Sequence, residues 1–259
     1  MQIIFNKYHG TGNDFIIIDN RELIISPDNE KMIRNLCDRH TGIGADGLIL
    51  INNHEMHDFE MRYFNSDGKE GSMCGNGARC AVAYVEKSGL GKNIGTFMAI
   101  DGIHTYKISG NLISISLSDT RPPVIIDGNH FINTGSPHYI IYVLDCNNVN
   151  VYDKGSSIRW SGSFAPYGTN VNFVEKTADG ISVRTYERGV ENETLSCGTG
   201  VTAAAISSKW ESGHGKHKVN IKTPGGNLSV SFEIADKHIS GICLSGPASF
   251  VFAGVLEYK

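Results

Sequence analysis

The sequence predicts a mixed α/β fold of two pseudo-symmetric halves, each a mostly antiparallel sheet around one central helix. Three observations predict it. Cys74-Gly75-Asn76-Gly77 recurs half a chain later as Cys197-Gly198-Thr199-Gly200, and at the same offset Tyr63 matches Tyr186 and Ala81 matches Ala204. Two half-length units fit this better than short solenoid repeats. Each copy also runs from a strand-like stretch through a Gly-rich turn into an apolar, helix-like stretch. Much of the remaining chain alternates apolar and polar residues, as in Leu112 to Leu117, the period of a half-buried strand.

In the first half the strand-like stretch is Phe59 to Phe64 and the helix Ala78 to Lys87, with Gly89 as its stop. In the second they are Ile181 to Tyr186 and Val201 to Glu211, stopped at Gly213. Strands follow each helix, at His104 to Ile108 and Leu228 to Phe232. A further helix is expected to start at Ser26 with Pro27 in its first position, burying Met32, Ile33, Leu36 and Cys37. A looser echo joins Gly12-Asn13-Asp14-Phe15 to Thr169-Asn170-Val171-Asn172-Phe173. Arg121-Pro122-Pro123 marks the expected crossover, dividing the chain into residues 1–119 and 120–246.

With 259 residues the chain can bury a core without disulfides or metals. Its 23 basic and 27 acidic side chains leave a formal charge of −4 with no long basic run, which argues against nucleic acid and anionic membranes as partners. The first residues lack the apolar core of a signal peptide, and the longest apolar runs are far too short to span a bilayer. A cytoplasmic location is expected, with six free cysteines. No cofactor and no metal is expected: there is no Cys-x-x-Cys pair, and His54/His57 and His214/His217 read as solvated surface residues. The expected assembly is a homodimer.

The two cysteine turns carry the chemistry. A cysteine at a helix N-terminus has a lowered pKa, because unsatisfied N–H groups and the helix dipole favour thiolate. The glycines let backbone amides approach a ligand, and those amides suit a carboxylate. One such turn is weak; two at equivalent points are much stronger. A thiolate on one face of a substrate carbon could remove its α-proton while a thiol on the other returns one with inversion. Both helix starts would stabilise the developing negative charge. The competing reading, two buried filler cysteines, leaves the matched Gly-x-Gly unexplained. Cys37, Cys80, Cys146 and Cys243 read as core.

The blocks His9-Gly10-Thr11-Gly12-Asn13-Asp14-Phe15, Phe64-Asn65-Ser66-Asp67-Gly68 and Met73-Cys74-Gly75-Asn76-Gly77-Ala78-Arg79-Cys80 resemble diaminopimelate epimerases. Tyr186-Glu187-Arg188-Gly189, Cys197-Gly198-Thr199-Gly200 and Thr223-Pro224-Gly225-Gly226 continue the match in order. The resemblance implies cofactor-independent interconversion of LL- and meso-2,6-diaminopimelate, serving lysine and cell-wall precursor synthesis. It also implies a C-terminal strand, within 247–259, that returns to the first half. By motif, Cys74 and Cys197 would be the acid–base pair, with Glu187 and His138 as polar helpers. Gly75, Asn76, Gly198 and Thr199 would hold the reacting carboxylate and amino group. Asn13, Asn65 and Asn170 stand at substrate positions, and Arg188 would take the distal carboxylate as a planar fork. Two positions depart from the pattern. Ser136 stands where many members have an asparagine, and Gly47 where some have a glutamine.

A racemase for another amino acid, such as proline, is the nearest alternative, but such a substrate has no distal charges for Arg188, Asn65 and Asn170 to meet. A thiol-redox or metal protein would show cysteines at short spacing, and an inactive binding relative should have lost one of the pair.

Overall fold

A computed structural model describes residues 1–236 and 238–258. In chain order the first elements are β1 (Gln2–Gly10), β2 (Asn13–Asp19), α1 (Glu30–Cys37), β3 (Gly47–Asn52) and β4 (Phe59–Asn65). These are followed by α2 (Gly75–Lys87), β5 (Ile94–Ala99), β6 (Gly102–Ser109) and β7 (Leu112–Ser116). The second series is β8 (Val124–Ile126), β9 (Asn129–Asn133), β10 (Pro137–Tyr142), α3 (Val151–Arg159), β11 (Asn170–Thr177) and β12 (Gly180–Glu187). After it come β13 (Asn192–Thr194), α4 (Gly198–Lys209), β14 (Gly215–Thr223), β15 (Gly226–Ala235), β16 (His238–Gly246) and β17 (Ser249–Glu257).

The chain forms two compact units, Met1–Ile115 with Gly246–Lys259, and Ser116–Ser245. Arg121-Pro122-Pro123 therefore lies inside the second unit. The stretch before it is already held there, Leu117 N donating to Ile242 O (2.9 Å) and Thr120 N to Ile239 O (3.0 Å).

In the first unit β1 pairs antiparallel with β2 and β17, β2 runs parallel to β3, and β3 is antiparallel to β4. β4 is parallel to β5, and β5–β6–β7 form an antiparallel meander. The sheet surrounds α2, which packs on β1, β2, β3, β4 and β17 and is buried nearly all round its first ten residues. A helix so placed must be apolar on every side, and Ala78, Cys80, Ala81, Val82 and Val85 meet that demand. α1 buries Met32, Ile33, Leu36 and Cys37 on a separate core with Ile3, Phe5, Ile16, Ile18, Leu48 and Leu50.

The second unit repeats this plan. β9–β10 are antiparallel, β10–β11 parallel, β11–β12 antiparallel and β12–β14 parallel, and β14–β15–β16 form the meander. α4 is the central helix, packed on β9, β10, β11, β12, β14 and β15. Matching connectivity makes β2 the counterpart of β10 and β3 that of β11. The echo between Asn13–Phe15 and Thr169–Phe173 is thus not a structural equivalence: Asn13 opens β2, whereas Asn170 opens β11.

Three local expectations are corrected. α1 starts at Glu30, not Ser26, because Ser26 to Asn29 form a turn closed by Asn29 N donating to Ser26 O (3.1 Å). Pro27 occupies the turn's second position, and Asn29 caps the helix by accepting from Met32 N (3.1 Å). Cys243 is half-buried rather than core. His54, His57 and His217 are half-buried, not solvated: His57 Nδ1 lies 2.9 Å from Thr96 Oγ1, and His217 Nε2 lies 3.0 Å from Gly213 O.

Candidate active site

Each central helix begins on a cysteine. Cys74 is the N-cap of α2 and Cys197 that of α4, both extended, with φ/ψ of −103°/114° and −117°/113°. An extended residue before a helix turns its side chain toward the free N–H groups of the first turn. At Cys74 this is direct, since Gly77 N donates to Sγ at 3.5 Å. Cys197 Sγ instead meets the hydroxyl of Thr199 at 3.5 Å. Cys74 is half-buried and Cys197 buried.

Around Cys74 the structure brings Asn13 and Asn76 together. Asn13 Oδ1 accepts from Asn76 Nδ2 (3.3 Å) and lies 3.8 Å from Cys74 Sγ. Its amide nitrogen donates to Asp46 Oδ2 (2.8 Å), so Asp46 fixes which end faces the cysteine. Asp46 is held by Arg39, which also forks onto Asp14, and Asp14 bonds the buried Lys7 at 2.7 Å. Burial works against the Asp14 charge, but Arg39 and Lys7 outweigh it and hold its carboxyl far below the usual range. Asn13 can begin its strand beside the helix because the β1–β2 turn is two residues long, Thr11-Gly12 with φ of 52° and 88°.

Asn65 has a hydrogen bond of its own. It ends β4 opposite Gly47, and its Oδ1 accepts from Tyr63 OH at 2.8 Å. The same ring and the neighbouring backbone explain Gly47: a Cβ there would meet Tyr63 Cε2 at 2.5 Å and Phe64 O at 2.6 Å, so a longer side chain at this position is excluded.

In the second unit a hydrogen-bonded chain reaches Cys197. Thr185 Oγ1 donates to Asn172 Oδ1 (2.9 Å), and Asn172 Nδ2 donates to Tyr139 O (3.3 Å) and to His138 Nδ1 (3.2 Å). His138 Nδ1 is therefore an acceptor and Nε2 carries the proton, donating to Thr199 Oγ1 at 2.9 Å. The Thr199 hydroxyl can then donate to Cys197 Sγ. His138 is fully buried, and desolvation, with Arg188 adding to it, depresses its pKa to about 3, so the ring is neutral. Gly200 makes the approach possible: a Cβ there would lie 2.5 Å from Asn172 Oδ1 and 3.3 Å from His138 Cε1.

Asn170 is buried. Its amide donates to Ser136 Oγ (2.9 Å) and Pro137 O (2.8 Å), and its oxygen accepts from Arg188 N (2.8 Å). It thus fixes the loop that carries Arg188 and the serine that departs from the motif. Arg188 is half-buried, touching Tyr167 O at 3.5 Å, and Glu187 accepts from Thr194 Oγ1 at 2.8 Å. Gly75 and Gly198 are the first residues of the two helices. Nothing in the local sequence marks Asp46, Arg39, Asn172 or Thr185 as parts of these clusters, since each arrives from a different strand or loop.

Among the described residues no group of three or more His, Cys, Asp or Glu side chains could hold a metal ion, and no helix is long and apolar enough to cross a membrane.

Solved structures share this fold at low identity. A phenazine biosynthesis protein of the PhzF family from Bacillus anthracis superposes with a TM-score of 0.77 at 15% identity, covering 100% of both chains. A hydroxyproline epimerase from Agrobacterium vitis gives 0.73 at 10%, over 98% of this chain and 92% of that one. Sequence relatives are closer. A diaminopimelate epimerase from Flavobacterium psychrophilum is 48% identical over 95% of this chain and 97% of its own length. Another from Aquifex aeolicus is 40% identical over 98% and 99%. The family profile described as diaminopimelate epimerase matches residues 5–105 and 130–251, which takes in both cysteine-capped helices and every side chain of the two clusters. The chain belongs to the diaminopimelate epimerase family.

Proposed function

We propose that the chain interconverts LL-2,6-diaminopimelate and meso-2,6-diaminopimelate without a cofactor, with Cys74 and Cys197 as its two proton carriers. The observation that carries this reading is the cysteine N-cap at the start of both buried helices. One thiolate takes the α-proton and becomes a thiol. The electron pair left on carbon delocalises into the carboxylate, whose charge the N–H groups at the helix starts stabilise. The other thiol gives its proton to the opposite face and becomes a thiolate, so charge and protons balance and the two sulfurs exchange states each turnover. In this reading Asn76, Thr199, Gly75 and Gly198 hold the reacting carboxylate and amino group, Asn13, Asn65 and Asn170 complete the substrate contacts, and Glu187 and His138 assist the two cysteines. Arg188 binds the distal carboxylate, a group that proline would not offer.

The test is direct. Purified protein is incubated with LL-diaminopimelate and no additive, and the stereoisomers are separated. Formation of the meso isomer is expected, and its absence would overturn the reading.

Work in the cytoplasm and assembly as a homodimer belong to the same proposal. β1 and β17 leave the register partners Ile4 and Val255 exposed, an apolar pair that a second copy would cover. Light scattering that gave a monomer mass would remove the dimer from it.

A further inference from the structure

Arg79 is the largest fully buried side chain among the described residues, with no exposed surface. Its guanidinium is engaged on every nitrogen. Nε donates to Pro247 O (3.3 Å), Nη1 to Gly75 O (3.2 Å), and Nη2 to Asn76 Oδ1 (2.9 Å) and Thr11 Oγ1 (3.3 Å). All four acceptors are neutral, and among the described residues Arg79 has no carboxylate partner. A buried cation without an anion is costly and is ordinarily paired.

Resting on the two-cysteine reading above, we propose that Arg79 is a positioning residue whose missing counter-ion is the Cys74 thiolate. It would bias the resting enzyme toward thiolate at Cys74 and thiol at Cys197. Arg79 bonds the carbonyl of the residue next to Cys74 and the side chain of the residue after that, so it fixes the first turn of α2 and sets a positive charge beneath it. The second unit supplies the control. There Thr202 occupies the equivalent place on α4 and bonds the equivalent carbonyl, Oγ1 donating to Gly198 O at 2.9 Å, but it carries no charge. The ring that joins Thr199 on that side, His138, is neutral. The two helix starts are alike in shape, but only α2 carries a fully buried cation; the cation whose charge reaches His138 in the second unit, Arg188, is half-buried on a loop.

Other groups around α2 do not substitute for Arg79. Lys7 and Asp14 pair with each other, and Asp14 also with Arg39; Asp19 pairs with Arg21, and Arg62 with Glu70. Glu60 accepts from Asn52, Glu257 from Gln2, Tyr63 donates to Asn65, and His9 Nδ1 accepts from Gly12 N. Burial raises the pKa of Cys80, Tyr8 and Tyr84, which stay neutral, and Glu86 and Lys87 lie at the far end of the helix. Burial also draws Arg79 itself down, to about 10, which leaves it charged at neutral pH.

The experiment reads sulfur ionisation, not turnover. Substrate-free protein is alkylated with iodoacetamide across pH 5–10, and peptide mass spectrometry follows Cys74 and Cys197 separately. Wild-type Cys74 should show the lower apparent pKa of the two. In Arg79→Gln, which keeps a hydrogen-bond donor but no charge, the pH profile of Cys74 alkylation should move up by about one pKa unit or more, a tenfold change in its ionisation equilibrium. Cys197 should not change, and Arg79→Lys should restore most of the Cys74 rate. Circular dichroism shows whether each variant is folded. A folded Arg79→Gln with an unchanged Cys74 profile would overturn the proposal. If the variants do not fold, a wild-type Cys74 that titrates no lower than Cys197 would do the same. An inactive enzyme with the expected alkylation pattern would instead sink the epimerase reading and leave Arg79's role standing.

Discussion

His138 donates from Nε2 to the Thr199 hydroxyl at 2.9 Å, and that hydroxyl lies 3.5 Å from Cys197 Sγ. A neutral imidazole cannot supply a charge to the sulfur, so its effect passes through the orientation of one hydroxyl. Thr199→Val keeps the shape and removes the link. It should lower kcat by about 10–100-fold, the worth of a hydrogen bond to a group that becomes charged, while Thr199→Ser should stay within a few-fold of wild type. Steady-state rates in both directions check this.

The same ring makes the fold acid-sensitive. His138 has a pKa depressed to about 3 by burial, whereas an unfolded histidine titrates near about 6.5. The folded value is the lower one, so the unfolded state binds the extra proton first. The stability contribution is complete above the unfolded pKa and is lost as pH falls toward the folded one. The slope from this one group is about 1.4 kcal/mol per pH unit. His138→Gln should flatten the decline in urea stability between about pH 6 and 4. An unchanged slope would place the acid sensitivity elsewhere.

Asp14 contributes at lower pH. Arg39 and Lys7 hold its carboxyl below the ordinary value against the effect of burial, so its contribution is present above about pH 4 and fades as acid protonates it. Asp14→Asn would leave the buried Lys7 ammonium without its anion. Chemical denaturation at pH 7 should show a loss of about 3–5 kcal/mol, shrinking toward pH 2.

Arg188→Lys keeps the charge and loses the fork. If this side chain takes the distal carboxylate, kcat/KM for diaminopimelate should fall by about tenfold or more, with the fold intact. A variant equal to wild type would leave Arg188 as a half-buried loop residue bonded to Asn170 and Tyr167.

What the sequence makes legible is what is local. The two helix starts are readable because cap, glycines and helix lie within a few residues, and the pseudo-symmetry because the same short block occurs twice. The start of α1 is ambiguous in sequence because two local rules compete: Ser-Pro can open a helix or a turn, and Asn29, one turn later, makes the better cap. The clusters behind the cysteines depend on register between strands distant in sequence. Asp46 reaches Asn13 only because β2 and β3 run parallel at Phe15 and Gly47, and Asn172 reaches His138 only through the parallel pairing of β10 with β11. No periodicity reports such pairings. The burial of Arg79 is equally hidden, since nothing local tells a buried arginine from a solvated one until the sheet is seen to close around the helix.

The last expectation concerns the fate of the proton. Cys74→Ala and Cys197→Ala should each cut epimerisation by about 10²–10⁴-fold or more, because each removes one proton carrier. Loss of activity alone does not separate two carriers from one carrier and one structural residue, but isotope does. With two carriers, the abstracted hydrogen stays on one sulfur while the other delivers a proton that has exchanged with solvent. In D₂O, LL substrate stopped at low conversion should yield product with deuterium at its new centre, and recovered substrate should carry almost none. With one carrier serving both faces, the original hydrogen would return to part of the product, or deuterium would wash into recovered substrate. Mass spectrometry of the resolved stereoisomers distinguishes these patterns. Early deuterium in recovered LL substrate would end the assignment of separate roles to Cys74 and Cys197, even with both essential. The alanine variants then give a sharper form of the test. If each cysteine faces its own side of the carbon, the variant that keeps the abstracting thiolate for a given isomer should still exchange that isomer's α-hydrogen slowly without inverting it. Cys74→Ala and Cys197→Ala should therefore show opposite preferences for which isomer they exchange.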